Sequence, residues 1–386
     1  MKYYDHSSAP LIDPRVIDSM VFYLREIFGD PSGLHQLGIE AREAVEESRR
    51  MVANLIGSEL GEIIFTASGS EADNLAIKGL SQAREKYGRH IIVSNIEHHA
   101  ILYSTKTLER HGFEITLVPV GNDGIVDPDE VLRAMRPDTI LVSVMLANDQ
   151  IGTIQPIHEI SDIAHKQGAI VHSDAVSAMG RLPINVKNLK VDALSISARY
   201  INGPPGVGAL YLKAGTRIRP QIEGGTQEGG RRSGYENIPA IIGFGKAAEL
   251  ITNEFPRRKH RLKTLDALFW NGLKNRLPEV SLNGHPIQRL PGHFNLWIKG
   301  VDSESLVLML DERGIAVSMG SSCMSHASKA SHVLIAIGRN PAEARCSLMV
   351  SLSPNTKESE IEEVLDTLVN VVHKLRKIMG TNNPQI

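Results

Sequence analysis

Cysteine is nearly absent from this chain: two of 386 residues, Cys323 and Cys346. Two are too few for a disulfide framework and lie too close in sequence to close a long loop, which suits a reducing compartment. No CxxC pair or His-rich cluster offers a complete metal site within one chain. Long hydrophobic runs are lacking as well, since no apolar stretch reaches the length of a membrane span. The opening Met1-Lys2-Tyr3-Tyr4-Asp5 has no basic segment leading into an apolar one. A cytoplasmic location without membrane contact is the expectation. Neither sign of charge is in excess; the formal net charge is −2. That gives no long-range attraction for nucleic acid or an anionic membrane, so small-molecule or protein partners fit better. Low-complexity tracts and internal repeats are also missing, and 42% apolar with 22% charged residues is an ordinary globular composition.

A chain of this length exceeds the size at which a single core stops growing, so two unequal domains are expected. Short β-rich apolar runs at 63–66, 91–94, 115–119, 140–145, 169–173, 193–197 and 208–212 alternate mostly with helix-length segments. Continuous apolar strands separated by helices indicate a largely parallel sheet covered on both faces. Residues 38–55 have helical spacing, with acids early and Arg49-Arg50 late, an order that matches the helix dipole. After a polar segment at 253–263 a second pattern begins, with strands near 293–298 and 315–318 and helices near 305–312 and 358–379. The expected division is a large α/β domain over 15–255 and a smaller α+β domain over 1–14 with 256–386.

Several short motifs carry chemistry. Phe65-Thr66-Ala67-Ser68-Gly69-Ser70-Glu71 reads as a strand, a glycine loop and a helix start, where backbone N–H groups can hold a phosphate. The same residues also read as a plain helix capped by Ser70 with acids in its first turn. His98 in Asn95-Ile96-Glu97-His98-His99-Ala100 follows a strand, as a hydrogen-bonded structural histidine or an acid–base group would. Asp174 closes the strand Val171-His172-Ser173-Asp174. A carboxylate buried there must shift its pKa upward or find a cation. Ser197-Ala198-Arg199-Tyr200-Ile201-Asn202-Gly203-Pro204 follows the next strand. In Gly320-Ser321-Ser322-Cys323-Met324-Ser325 small residues surround a thiol. A thiolate on such a loop is a nucleophile and a soft metal ligand. The alternative, a small buried hydrophobe, suits Cys346 better, beside Leu348-Met349-Val350.

In order along nearly the whole chain, these motifs resemble the cysteine desulfurases of iron–sulfur cluster assembly, members of the class-V aminotransferase family. The resemblance implies the fold type I of pyridoxal-phosphate (PLP) transferases, an α/β large domain with a mainly parallel seven-stranded sheet plus a smaller α+β domain. It places Gly69 and Ser70 at the PLP phosphate, His98 on the pyridine ring, Asp174 at the ring nitrogen, and Ser197 and Arg199 in the cofactor segment, near enough to Asp174 that Arg199 is the cation expected to pair with it. It also marks departures. The family's Ser-x-His-Lys becomes Ser197-Ala198-Arg199-Tyr200, so the lysine that forms the Schiff base is Tyr200. A phenol cannot supply the neutral primary amine that this bond requires. An amide facing the ring becomes Asp149, a glutamine donor becomes Ser177, and the threonine reaching a neighbouring subunit's phosphate becomes Tyr235. The substrate-binding arginine of Ser-Leu-Gly-Arg is replaced in Ser351-Leu352-Ser353-Pro354, and Asn-Ala-Thr-Thr becomes Ser7-Ser8-Ala9-Pro10 after His6. Gly203, Pro204, Gly206, Gly208 and Arg232 still match.

Cys323 keeps the place of the cysteine that becomes a persulfide. The expected role is a homodimeric platform that docks an IscU-like iron–sulfur scaffold protein. On it Cys323 serves as sulfur carrier, or as one ligand of a [2Fe-2S] cluster whose other three ligands come from that partner. Sulfur would come from free sulfide or from a separate active desulfurase. The alternative is a desulfurase that converts cysteine to alanine with non-covalently bound PLP. A third class, a transaminase or selenocysteine lyase, meets the same missing amine.

Overall fold

A computed structural model describes residues 1–319, 330–378 and 380. Numbered along the chain, the main elements begin with β1 (Lys2–Tyr3), α1 (Pro14–Arg25), α2 (Gln36–Ile56), β2 (Ile63–Thr66) and α3 (Gly69–Asn74). A π turn, Leu75–Leu80, extends α3 without a break to Ser81–Arg84. Next come β3 (His90–Ser94), α4 (His99–Glu109), β4 (Glu114–Val118), α5 (Pro128–Ala134), β5 (Thr139–Ser143), α6 (Ile157–Lys166), β6 (Ile170–Asp174), β7 (Ala193–Ser197) and β8 (Gly208–Leu212). The chain continues through α7 (Ile238–Arg276), β9 (Ser281–Leu282), β10 (His293–Trp297), α8 (Ser303–Asp311), β11 (Ile315–Ala316), β12 (Ser347–Ser351) and α9 (Glu358–Ile378).

Seven strands form one sheet in the order β2-β8-β7-β6-β5-β3-β4. The pairs β7–β6, β6–β5, β5–β3 and β3–β4 are parallel, and β8 runs antiparallel to both neighbours. All five residues of β3, β5, β7 and β8 are buried. This is the pattern of strands covered by helices on both faces, and it explains their unbroken apolar sequences. The mainly parallel seven-stranded sheet is as expected.

Apolar side chains collect in two large clusters. One holds Val16, Ile56, Phe65, Ile196 and Phe244. The other draws Tyr4 from the N-terminal segment to Leu262, Phe269, Phe294 and Leu365. At about 25 cal/mol per Å² of apolar surface removed from water, each fully buried Phe or Leu contributes roughly 1.5–3 kcal/mol. The β1 strand pairs in parallel with β11, Lys2 opposite Ile315, and this holds the first residues against the second cluster.

One local expectation needs correction, and one segment is better defined. The polar segment 253–263 lies within the 39-residue helix α7, which carries Pro256 inside it. Buried Leu262, Leu265, Phe269 and Leu273 continue the helical spacing past the proline, and their packing outweighs its missing N–H. In α2 the last turn has no basic residue and the first no acidic one. Arg49 is instead buried, with its guanidinium on the Glu228 carboxylate at 2.6 and 2.9 Å. It answers an ion pair across the fold and not the helix dipole.

Candidate functional site

In a parallel sheet, ligand sites form beyond the carboxyl ends of the strands. Here those ends bound a cavity of about 520 Å³. After β2 it is lined by Ser68, Gly69 and Ser70, after β3 by His98 and His99, and after β5 by Asp149. The chain beyond β6 and β7 adds Asp174, Ser177, Ser197, Arg199 and Tyr200. These residues lie far apart in sequence yet converge because the strands carrying them belong to one sheet.

The helix start is built tightly. Ser68, with extended backbone, caps α3 by accepting from the Glu71 N–H at 3.1 Å. The cap is therefore Ser68, whereas Ser70 stands inside the first turn and is exposed. A Cβ on Gly69 would fall 2.5 Å from Val176 Cγ2, and one on Gly208 would fall 2.6 Å from the Ser68 carbonyl carbon. Both glycines let helix and sheet approach so closely that a ligand at this end meets bare backbone.

Asp174 is 5% exposed, and its carboxylate accepts from the Val176 N–H at 2.8 Å. Burial raises its pKa, while the nearby His98 opposes the rise. Arg199 does not pair with it: among the described residues no ion pair joins them, and Arg199 is exposed at the cavity rim. A guanidinium keeps its hydration there, where entering the pocket would strip it. Of the two outcomes open to a buried carboxylate, Asp174 takes the upward pKa shift.

Asp73, also lining the cavity, is 1% exposed, and its Oδ1 has no hydrogen-bond partner. Burial and the neighbouring Asp174 hold its pKa well above the carboxylate range. Sequence reading missed Asp73; its signal is the spacing of four from Gly69, one helical turn, which returns it to the same face. Beneath it His172 lies between Ser143 Oγ and Ser195 Oγ, 2.9 Å from each, and burial pushes its pKa down to about 3.

His98 does two things. Its Nδ1 accepts from the Ala100 N–H at 3.1 Å, capping α4, which leaves the proton of the neutral ring on Nε2. It also faces the cavity. His99, stacked on Tyr103 at 5.3 Å and set 4.7 Å from His332, completes an aromatic wall that sequence reading did not anticipate.

Tyr200 is half-buried and in reach of Ser177 for a hydrogen bond; burial first, then the charge of Asp149, push its phenol up to about 12. Its phenol is a neutral donor at physiological pH. Ser197 Oγ lies 3.5 Å from the Val207 carbonyl, at the long limit of a hydrogen bond. Tyr235 is not brought to this cavity and is 78% exposed. Cys323 lies outside the described residues. Cys346 is half-buried rather than fully so, and burial raises its thiol pKa. Among the described residues that line the cavity, Arg199 is the one arginine and no lysine is present. Among the described residues, no group of three or more His, Cys, Asp or Glu is placed to hold a metal, and no helix is long and apolar enough to cross a membrane.

A largely parallel sheet whose carboxyl edge carries a close-approach helix start and a buried acid belongs with the PLP-transferase architecture, and the sequence profile of class-V aminotransferases matches residues 2–364. The chain belongs to that family. Within it the chain is 44% identical over 376 residues to the protein named cysteine desulfurase IscS of Dictyoglomus turgidum, covering 97% of this chain and 95% of that one. It is 43% identical to the protein of the same name from Methanosarcina thermophila, over 97% of this chain and 93% of that one. A solved NifS-like protein superposes with a TM-score of 0.90 at 33% identity, covering 97% of this chain and 99% of that one.

Proposed function

We propose that this protein is a sulfur-handling member of the desulfurase family in iron–sulfur cluster assembly, one that does not release sulfur from cysteine by itself. The observation that carries the reading is a cavity in which no amine is found among the described residues. Its described lining offers no lysine, and Tyr200 occupies the turn after β7 where the family resemblance puts one. PLP fits this cavity in part. Gly69 leaves room for its phosphate beside backbone, and Asp174 would face its ring nitrogen; bound there, PLP supplies an electron sink. The tether is what these residues lack, so no step is routed through PLP.

The working group is then the Cys323 thiolate. With an active desulfurase as donor, Cys323 attacks the outer sulfur of the donor's persulfide. The S–S bond breaks, the donor leaves as thiolate, and Cys323 holds the persulfide with no net oxidation. As a cluster ligand it needs only deprotonation. The rest of the reading is a homodimer whose 224–237 segment, Tyr235 included, serves the neighbouring subunit. It docks an IscU-like scaffold in the cytoplasm, and it divides into 15–255 and 1–14 with 256–386.

The retained Asp174 favours a second reading, a desulfurase that works with loosely held PLP. One experiment separates the two: purified protein is incubated with PLP and cysteine, and alanine, sulfide and bound cofactor are followed together. No sustained alanine is expected. Tyr200→Lys alone is expected to leave turnover absent, since Asp149, Ser177 and Pro354 remain. Given a persulfidated desulfurase, the protein is expected to retain sulfur, and Cys323→Ser to lose about tenfold or more of that retention. Stoichiometric PLP with continuing alanine release would overturn the proposal.

A further inference from the structure

The cavity's charges are arranged in a way that an aldehyde cofactor does not explain. Asp149 and Asp174 line it with Tyr200, and the pKa of Tyr200 responds to both carboxylates. Among the described residues no hydrogen bond or ion pair engages the side chain of Asp149. Asp73 adds a buried acid lining the same space, its Oδ1 without a hydrogen-bond partner and 3.9 Å from His172 Nε2. Cationic and anion-binding groups lie along another part of the wall. Arg199 is there, its backbone N–H 3.4 Å from Ser197 Oγ and its side chain exposed on the cavity wall, and Ser197 pairs across the sheet with Gly208, which abuts the first residues of α3. Helix N–H groups and a guanidinium together suit a phosphate.

A ligand that meets this lining is anionic at one end and carries protonated nitrogens at the other. PLP supplies the phosphate and a ring nitrogen, but its aldehyde would face a carboxylate and a phenol, neither of which can form an imine. The amine form of the same vitamin places a primary ammonium there, and an ammonium beside a carboxylate makes a charge-assisted hydrogen bond. The geometry points to pyridoxamine 5′-phosphate as the preferred ligand of this cavity, with Asp149 receiving its aminomethyl group and Asp174 its ring nitrogen. The inference rests on the reading of Tyr200 as the residue standing at the tether position. It goes further in naming the form of the ligand that the altered lining selects.

Calorimetric titration of the purified full-length protein tests it with three probes: pyridoxamine 5′-phosphate, PLP, and pyridoxine 5′-phosphate. The last has a neutral hydroxymethyl group in place of the aminomethyl and nearly the same shape. The amine is expected to bind about tenfold or more tightly than the alcohol, the ratio that one charge-assisted contact gives. Asp149→Asn is expected to reduce that ratio to near one. Equal affinities for amine and alcohol in the unaltered protein would overturn the inference whatever the variant does, and so would failure of the amine to bind. PLP that survives borohydride reduction and denaturation as a covalent adduct would reveal a tethering amine, which sinks the reading of Tyr200 beneath it. A separate loss of the amine's advantage, with no adduct, sinks only the ligand assignment.

Discussion

Glu228→Ala lowers the free energy of unfolding by about 3–5 kcal/mol, the cost of breaking a buried ion pair by removing one partner. Glu228 is 8% exposed, in the segment 224–237. Its carboxylate accepts both forks of Arg49 and also the Phe65 backbone N–H at 2.9 Å, so one side chain joins α2, β2 and its own loop. Truncation strands a guanidinium that is itself nearly buried and stacked over the Phe65 ring at 4.7 Å. Two of the Arg49 contacts would survive, to the Ile63 carbonyl and to Glu46, which argues against a still larger loss. Domains hold only about 5–15 kcal/mol in total, so the variant approaches the unfolding threshold. Urea unfolding monitored by circular dichroism reads the shift in midpoint. The double variant Arg49→Met with Glu228→Leu should recover part of the loss, because it removes both charges together. A change below about 1 kcal/mol for the single variant would show that water reaches the pair and solvates Arg49.

That pair also marks where sequence reading stops. The seven strands of the large sheet were legible because strands buried on both faces spell continuous apolar runs, and their ends fall within two residues of the expected bounds. The reversed direction of β8 was not, since antiparallel pairing leaves no mark on a strand of five buried residues. Arg49 looked like a helix-dipole residue because its partner lies 179 positions away. The same limit applied in the cavity. Gly69, His98, Asp149, Asp174, Ser177, Ser197 and Arg199 were expected together and are together. The expected contact of Arg199 with Asp174 failed because proximity along strand ends says nothing about which way a solvated side chain turns. Asp73 and the His99–Tyr103–His332 wall escaped notice because their relevance depends on which helix faces meet, and that is decided by packing.

Stability is highest between about pH 4.5 and 6.5 and falls on both sides, an outcome fixed by buried groups of opposite kinds. His172 and His293, 0% and 2% exposed, have pKa values pushed from 6.5 down to about 3, chiefly by burial, and His6 is lowered to about 4. Between pH 6.5 and 3 the unfolded chain therefore binds more protons at these sites, so their contribution is complete above pH 6.5 and is lost as pH falls. Glu97 is the reverse: fully buried, with its pKa raised by burial from 4.5 to about 8. Asp73 and Asp174 are raised in the same direction. For these acids the folded state binds more protons, so their contribution is complete below the unfolded pKa and is lost as pH rises through the folded one. In the overlap the two sets nearly cancel. Above it the acids remain alone, and below about pH 4.5 the histidines do. A tenfold difference in proton affinity between the folded and unfolded chain is worth about 1.4 kcal/mol, so moving from pH 5.5 to 8 should cost on the order of 2–4 kcal/mol through Glu97. Urea midpoints at pH 4, 5.5 and 8 provide the measurement. Glu97→Gln should flatten the alkaline limb, because an amide oxygen can keep the bonds from Ser94 and the Met145 N–H without a charge to bury. A stability that climbs steadily from pH 5.5 to 8 in the unaltered protein would mean that Glu97 is ionised in the fold and that solvent or a cation reaches the carboxylates under the cavity.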